Sequence, residues 1–200
     1  MDGITTRREL VRGGIAATAG AAAAGLARPV PAGAANGVPA EREGTVLAQT
    51  LRVEQLLVTA YRSVLGSGLV TTGVARRLQA MLAQELQHVA GLERSVQALS
   101  APLPRTTTRA AQKMLAAHHV HVSLTGLRDQ HEGLKLLIDV ESLAEGAYFS
   151  AIGKLSDPAL IRASIEAMGS EAQHWTVLSA LRHRGDVTRS VPYPFVQGSA

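Results

Sequence analysis

Two short stretches of the chain hold side chains that can ligate a metal, Glu85-Leu-Gln-His88 and Glu171-Ala-Gln-His174. On a helix, residues three apart lie on one face, one above the other, so each stretch offers a carboxylate and an imidazole to the same point. A single such pair says little. With seven His among 200 residues, roughly one Glu in thirty has a His three places on. The repetition says more. Glu54 precedes Glu85 by almost the same interval by which Glu141 precedes Glu171. Each of these leading glutamates is followed two helical turns later by a tyrosine, Tyr61 and Tyr148. The chain therefore states one pattern twice: Glu, a Tyr two turns on, then Glu-x-x-His on the next helix.

Gathered in one core, these residues would supply four carboxylates and two imidazoles. Clustered carboxylates in apolar surroundings repel one another, lose hydration and are driven to protonate. Two divalent cations remove the difficulty, because four negative charges balance four positive ones and neutral His completes each coordination sphere. Hard oxygen donors with imidazole suit iron or manganese, and zinc would also bind. Carboxylates paired with buried arginines would be the alternative, but no Arg shares these stripes.

The elements that must position the six residues are helices. Ala and Leu dominate a composition that is 46% apolar and only 3% aromatic, which favours close-packed helices over sheets. Val46, Leu47, Thr50, Leu51, Glu54, Leu57, Val58 and Tyr61 recur at steps of three and four, placing Glu54 inside an apolar stripe. A carboxylate there is the anomaly, since one is almost never buried without a partner. Gly66-Ser67-Gly68 ends this helix, and a second runs from about Val70 to Leu99 with Glu85 and His88 in line with its stripe. Arg76, Arg77, Gln84 and Arg94 fall on its solvent side. The short loop predicts an antiparallel pair. Pro102 and Pro104 open a connection over 100–130, with a short helix near 109–120 capped by Thr106, Thr107 or Thr108. A third long helix spans about Glu132 to Lys154, and Ser156-Asp157-Pro158 signals the start of a fourth, ending near Arg182. Helices of about 25 residues are about 37 Å long, a length the connection can retrace. The fold class predicted is all-α, a four-helix bundle of two antiparallel hairpins joined by a long crossover.

Residues 1–34 read as an address. Arg7-Arg8 precedes an apolar, Ala/Gly-rich run from Gly13 to Ala27, and Ala32-Gly33-Ala34 has the small-x-small form of a cleavage site. This resembles a twin-arginine signal, with the departure that Glu9 directly follows the arginine pair. An ordinary secretory signal is the alternative. The expected location is extracytoplasmic (periplasm, cell envelope or secreted), with the twin-arginine export machinery as a partner. An uncut signal would tether the protein to the membrane. Residues 35–44 read as a linker, 45–184 as the bundle and 185–200 as an extended Pro-containing tail. The net charge is +4, with Lys and Arg spread singly, so no nucleic-acid partner is expected. The absence of cysteine excludes disulfides and thiolate metal sites.

Over residues 45–184, with all six positions present, the chain resembles the ferritin-like superfamily, in particular exported bacterial proteins with a ferritin-like domain. Dinuclear carboxylate bundles of this kind use one Glu from each of two helices and Glu-x-x-His from each of the other two. The resemblance implies Glu54 and His88 as terminal ligands of one metal, Glu141 and His174 as terminal ligands of the other, and Glu85 and Glu171 as bridges. It implies two divalent ions, Fe or Mn, reacting with O2 or H2O2 as a ferroxidase or as a peroxidase or catalase. Tyr61 and Tyr148 are also a ferritin-like feature. By geometry each phenol could hydrogen-bond a ligand carboxylate, although an amphipathic core tyrosine would show the same spacing. The alternative function is a non-catalytic, metal-stabilised module of the cell envelope. A homodimer is compatible with either.

Departures from relatives narrow the reading. Storage ferritins form cages and usually carry a short helix after the fourth, where this chain has its Pro-containing tail, so cage storage is not expected. The cysteine-bound iron module of rubrerythrins is missing. His118, His119 and His121 in the crossover could bind zinc or copper, but without a carboxylate nearby they read as solvent-facing residues at a helix end. Glu145, one turn after Glu141, reads as either a carboxylate supporting the metal ligands or a solvated residue, the latter favoured, and Trp175 as a packing residue.

Overall fold

The computed structural model describes residues 40–184 and 186–190. The signal segment, most of the linker and most of the tail lie outside the described residues. Among the described residues five α-helices follow one another: α1 (Ala40–Gly66), α2 (Thr72–Ala98), α3 (Thr108–Ala117), α4 (Gln130–Ile152) and α5 (Pro158–Arg182), then a short 3-10 turn, Val187–Arg189. Among the described residues there is no strand. None of the described helices is long and apolar enough to cross a membrane.

Local chemistry explains where these helices begin. Asp157 accepts from the backbone N–H groups of Ala159 and Leu160, and Pro158 occupies the first turn, where its missing N–H costs nothing. Asp129 accepts from the N–H of Glu132, and Glu132 in return accepts from the N–H of Arg128. The first bond satisfies a donor the helix leaves orphaned, and the second fastens the residue before the cap. Of the three threonines expected to cap the short helix, Thr107 does so, accepting from the N–H of Ala110.

α1 packs against both α2 and α4, and α4 packs against α5. The ends show the directions. Glu43, in the first turns of α1, accepts from Ser156 and Asp157 just beyond α4, while Gly133 at the start of α4 faces Val64 near the end of α1. α1 and α4 are therefore antiparallel. Gln130 of α4 accepts from the N–H of Thr71 at the start of α2, so the crossover must retrace the whole bundle to get there. It does so along α1, pinned by Gln55, whose side-chain amide donates to the carbonyl of Pro104 and accepts from the N–H of Thr106. Further on, the hydroxyl of Ser63 donates to the carbonyl of Leu124. Two antiparallel hairpins joined by one long crossover is the topology predicted.

The linker boundary needs correction, because residues 40–44 are the first turns of α1. Ala40-Glu41-Arg42-Glu43 are good helix formers with acidic side chains at the N-terminus, where the helix dipole favours them. Glu43 is also buried, fastening the α4–α5 loop by three hydrogen bonds to a single oxygen. Burial opposes its charge, but the donors of Ser156 and Asp157 outweigh that and hold the carboxyl below its ordinary range. The tail expected to be extended instead begins with the 3-10 turn, and the hydroxyl of Ser179 donates to the carbonyl of Arg189, holding the turn on α5.

Gly44 marks the closest approach of α1 to the end of α2. A Cβ there would stand 2.6 Å from the Cβ of Ala101. Both atoms sit directly on backbone, so no rotamer relieves the clash. Gly44→Ala should destabilise the protein by about 1–3 kcal/mol, measured as a lower midpoint in chemical denaturation, despite the better helix propensity of Ala.

The core consists of two apolar clusters. One gathers Leu57, Tyr61, Leu78, Leu134 and Leu137 near the α1–α2 turn. The other gathers Leu47, Leu51, Leu92, Tyr148 and Leu160 at the opposite end. Between them lies a buried polar layer.

Candidate metal centre

Each helix of the bundle crosses this layer once. Glu54 lies between Leu51 and Leu57 on α1, Glu85 and His88 between Met81 and Leu92 on α2, Glu141 between Leu137 and Tyr148 on α4, and Glu171 and His174 between Ala167 and Leu178 on α5. All four carboxylates have zero exposure, and the two histidines are at most 5% exposed. Two ligand groups result: Glu54, Glu85, His88 and Glu171, and Glu85, Glu141, Glu171 and His174. Within each group the donor atoms lie within 4.8 Å of one another. Glu85 and Glu171 belong to both. The six residues singled out in the sequence thus converge, one histidine and one unshared Glu to each group.

The backbones of α2 and α5 hardly approach one another, and the gap is filled by these side chains reaching across it. His88 Nδ1 lies 2.8 Å from Glu171, and His174 Nδ1 lies 2.7 Å from Glu85. Neither approach has the alignment of a hydrogen bond. Both oxygens of Glu54, Glu85 and Glu171, one of Glu141, and Nδ1 of both histidines are buried without a hydrogen-bond partner. Leaving one such group unsatisfied costs on the order of 1–3 kcal/mol. Nine orphaned donor and acceptor atoms facing one space are what a pair of cations would satisfy, and the donor set fits them.

The electrostatics of the layer point the same way. Burial, then the neighbouring Glu171 and Glu85, pushes Glu54 well above the ordinary carboxylate range. Glu141 is raised well above it for the same reasons. At His88 burial opposes a charge, but Glu171, Glu85 and Glu54 overcome it and push the imidazole up to about 11. His174 is likewise raised, against burial, to about 9 by Glu171 and Glu85. Glu171 moves the other way: burial raises it, but both histidines outweigh burial and hold it below its ordinary value.

The tyrosines cross between hairpins. Tyr61 Oη donates to Glu141 Oε1 at 2.5 Å and lies 3.5 Å from Met81 Sδ. Tyr148 stands beside Glu54, close enough to act on its charge, but its hydroxyl is buried without a hydrogen bond. The antiparallel register of α1 and α4 sets each tyrosine opposite the other helix's Glu.

A model of the ferritin-like domain matches residues 42–184. The chain belongs to the ferritin-like domain family. No curated protein and no solved structure matches it. Membership agrees with the four-helix bundle, and the buried Glu/His layer of this ferritin-like domain is compatible with a metal site.

Three side chains depart from their sequence-based placement. Glu145 is buried, at 7% exposure, with one oxygen unpartnered, and burial followed by the charge of Glu171 raises it to about 7. Gln84, placed on the solvent side by periodicity, is only half-exposed, and its Oε1 lies 2.5 Å from His174 Nε2. Periodicity could not find it because the contact crosses the α2–α5 gap. Trp175 does more than pack: its indole N–H donates to Ser142 Oγ on α4. His118, His119 and His121 are all exposed at the end of α3.

Proposed function

We propose that the bundle holds two divalent ions, iron or manganese, and reacts with O2 or peroxide as a non-haem oxidoreductase. The observation that supports this reading above others is the pair of four-residue donor groups sharing Glu85 and Glu171. In the proposal Glu54 and His88 would hold one ion, Glu141 and His174 would hold the other, and Glu85 and Glu171 would serve both. The bound metals would supply the redox chemistry, and the protein the geometry. The chain's own residues do the rest. Tyr61 donates to Glu141 and so fixes which carboxylate oxygen stays free. Tyr148, beside Glu54, has a free phenol O–H that can carry a proton at the centre. The two apolar clusters above and below exclude bulk water. We further propose an extracytoplasmic location on the strength of Arg7-Arg8 and the apolar run that follows.

Elemental analysis of native protein, joined to oxidation kinetics for Fe(II) and H2O2, tests the function. Close to two Fe or Mn per chain with turnover is the expected result. Protein isolated without metal that cannot be reconstituted would overturn it. A second reading is favoured by the orphaned polar layer itself, whose satisfaction stabilises the fold whether or not turnover follows. Bound metal with no reaction toward either oxidant would select that reading, a metal-stabilised module.

A further inference from the structure

The ligand set repeats, but its surroundings do not. Gln84 immediately precedes Glu85, and the residue in the corresponding place before Glu171 is Ser170. Gln84 Oε1 reaches across the α2–α5 gap to His174 Nε2 at 2.5 Å. As a carbonyl oxygen it can only accept, so the imidazole must carry its hydrogen on Nε2. In the neutral ring that a metal ligand must be, this leaves the lone pair on Nδ1, 2.7 Å from Glu85, for the ion. On the other side, no hydrogen bond to His88 Nε2 is found among the described residues, and a serine side chain is too short to copy the reach of Gln84.

We propose that Gln84 makes the two metal pockets unequal: by locking the ring and tautomer of His174 it prepares the pocket of Glu85, Glu141, Glu171 and His174 to take its ion first and more tightly. The inference rests on the two-metal reading above. Gln84 is a positioning residue, acting on the metal only through His174. A partner on the outer ring nitrogen fixes orientation and raises ligand basicity, and losing one typically lowers metal affinity about 10- to 100-fold. Among the described residues no such partner fixes the tautomer of His88.

The test is a titration of chelator-stripped full-length protein with Mn(II), following free Mn(II) by its EPR signal. Crystals loaded with half an equivalent per pocket then locate the ion by anomalous scattering. The expected result is two unequal steps, with the first ion beside His174. Gln84→Leu should weaken the first step about 10- to 100-fold and leave the second unchanged. Gln84→Glu, which keeps an acceptor for the Nε2 hydrogen, should restore two unequal steps. Because Gln84 is half-exposed, Gln84→Ala serves as a second truncation if the leucine variant folds poorly. Equal steps in the unmodified protein, first occupancy beside His88, or a first step indifferent to Gln84→Leu or Gln84→Ala would overturn the proposal while leaving the two-metal centre standing. A protein that takes up no Mn(II), Fe(II) or Zn(II) overturns both.

Discussion

Glu85→Ala should leave a folded bundle that binds neither metal. Glu85 is one of two residues common to both ligand groups, and its buried oxygens find no hydrogen-bond partner. Removing it takes a donor from each pocket at once and leaves His174 Nδ1 without its nearest carboxylate. Glu54→Ala is the comparison, since Glu54 belongs to one group only. It should weaken one ion strongly and spare the other. Elemental analysis after dialysis distinguishes these outcomes: near zero metal for Glu85→Ala and near one for Glu54→Ala. The melting temperature of each stripped variant serves as its own baseline, because the substitution both relieves a buried carboxylate and takes a partner from a histidine. What should vanish is the increase on adding metal. For each site at a free ion concentration a thousand times its dissociation constant that increase corresponds to about 4 kcal/mol. Two metals retained by Glu85→Ala would show that Glu85 does not bridge.

Stripped and loaded protein should respond oppositely to pH. In the stripped chain Glu54 and Glu141 are raised above the ordinary 4.5, and His88 and His174 are raised from 6.5 to about 11 and about 9. A raised folded-state value means the native chain holds protons that the unfolded chain releases, so stability falls as pH rises through that interval. Glu171 is lowered, and its contribution is lost as pH falls below 4.5. These groups together place the maximum for stripped protein near about pH 5, with a steady decline toward pH 9. Metal reverses the trend. Ions bind the deprotonated ligands, so the stabilisation they add grows with pH. Differential scanning calorimetry of both forms from pH 5 to 9 checks the divergence. In weakly buffered solution at neutral pH, loading should release protons, one from each of His88 and His174. A stripped protein whose melting temperature is flat across this range would contradict the assignment of those charges.

Much of the fold was legible because helix periodicity is a property of a single segment. The stripe of α1 could be read from Leu47, Leu51, Leu57 and Tyr61 without knowing what it packs against, and Glu54 stood out by lying within it. Asp157-Pro158 announced α5 through backbone chemistry confined to three residues. The repeated Glu and Glu-x-x-His named the six polar residues of the central layer, since a carboxylate within an apolar stripe requires a partner whatever the topology. The nearly equal spacing from Glu54 to Glu85 and from Glu141 to Glu171 matches two hairpins of similar length.

Relations between helices were decided only by the tertiary structure. The antiparallel register of α1 and α4 gives Tyr61 to Glu141 and sets Tyr148 beside Glu54, a crossing that no spacing along the chain encodes. The stripes of their own helices place Gln84 toward solvent and leave Glu145 between solvent and the ligand layer. Glu145 lies at the edge of its stripe, where the packing of α5 against α4 decides exposure, and that packing buries it. Gln84 reaches His174 because α2 and α5 stand far enough apart for a long amide to span the gap. Sequence by itself determined the helices, their inward faces and the donor types of the central layer, because those follow from backbone propensity and the cost of burying charge. The tertiary structure decided which donor meets which, because that depends on the offsets and distances between helices, which no single helix's pattern contains.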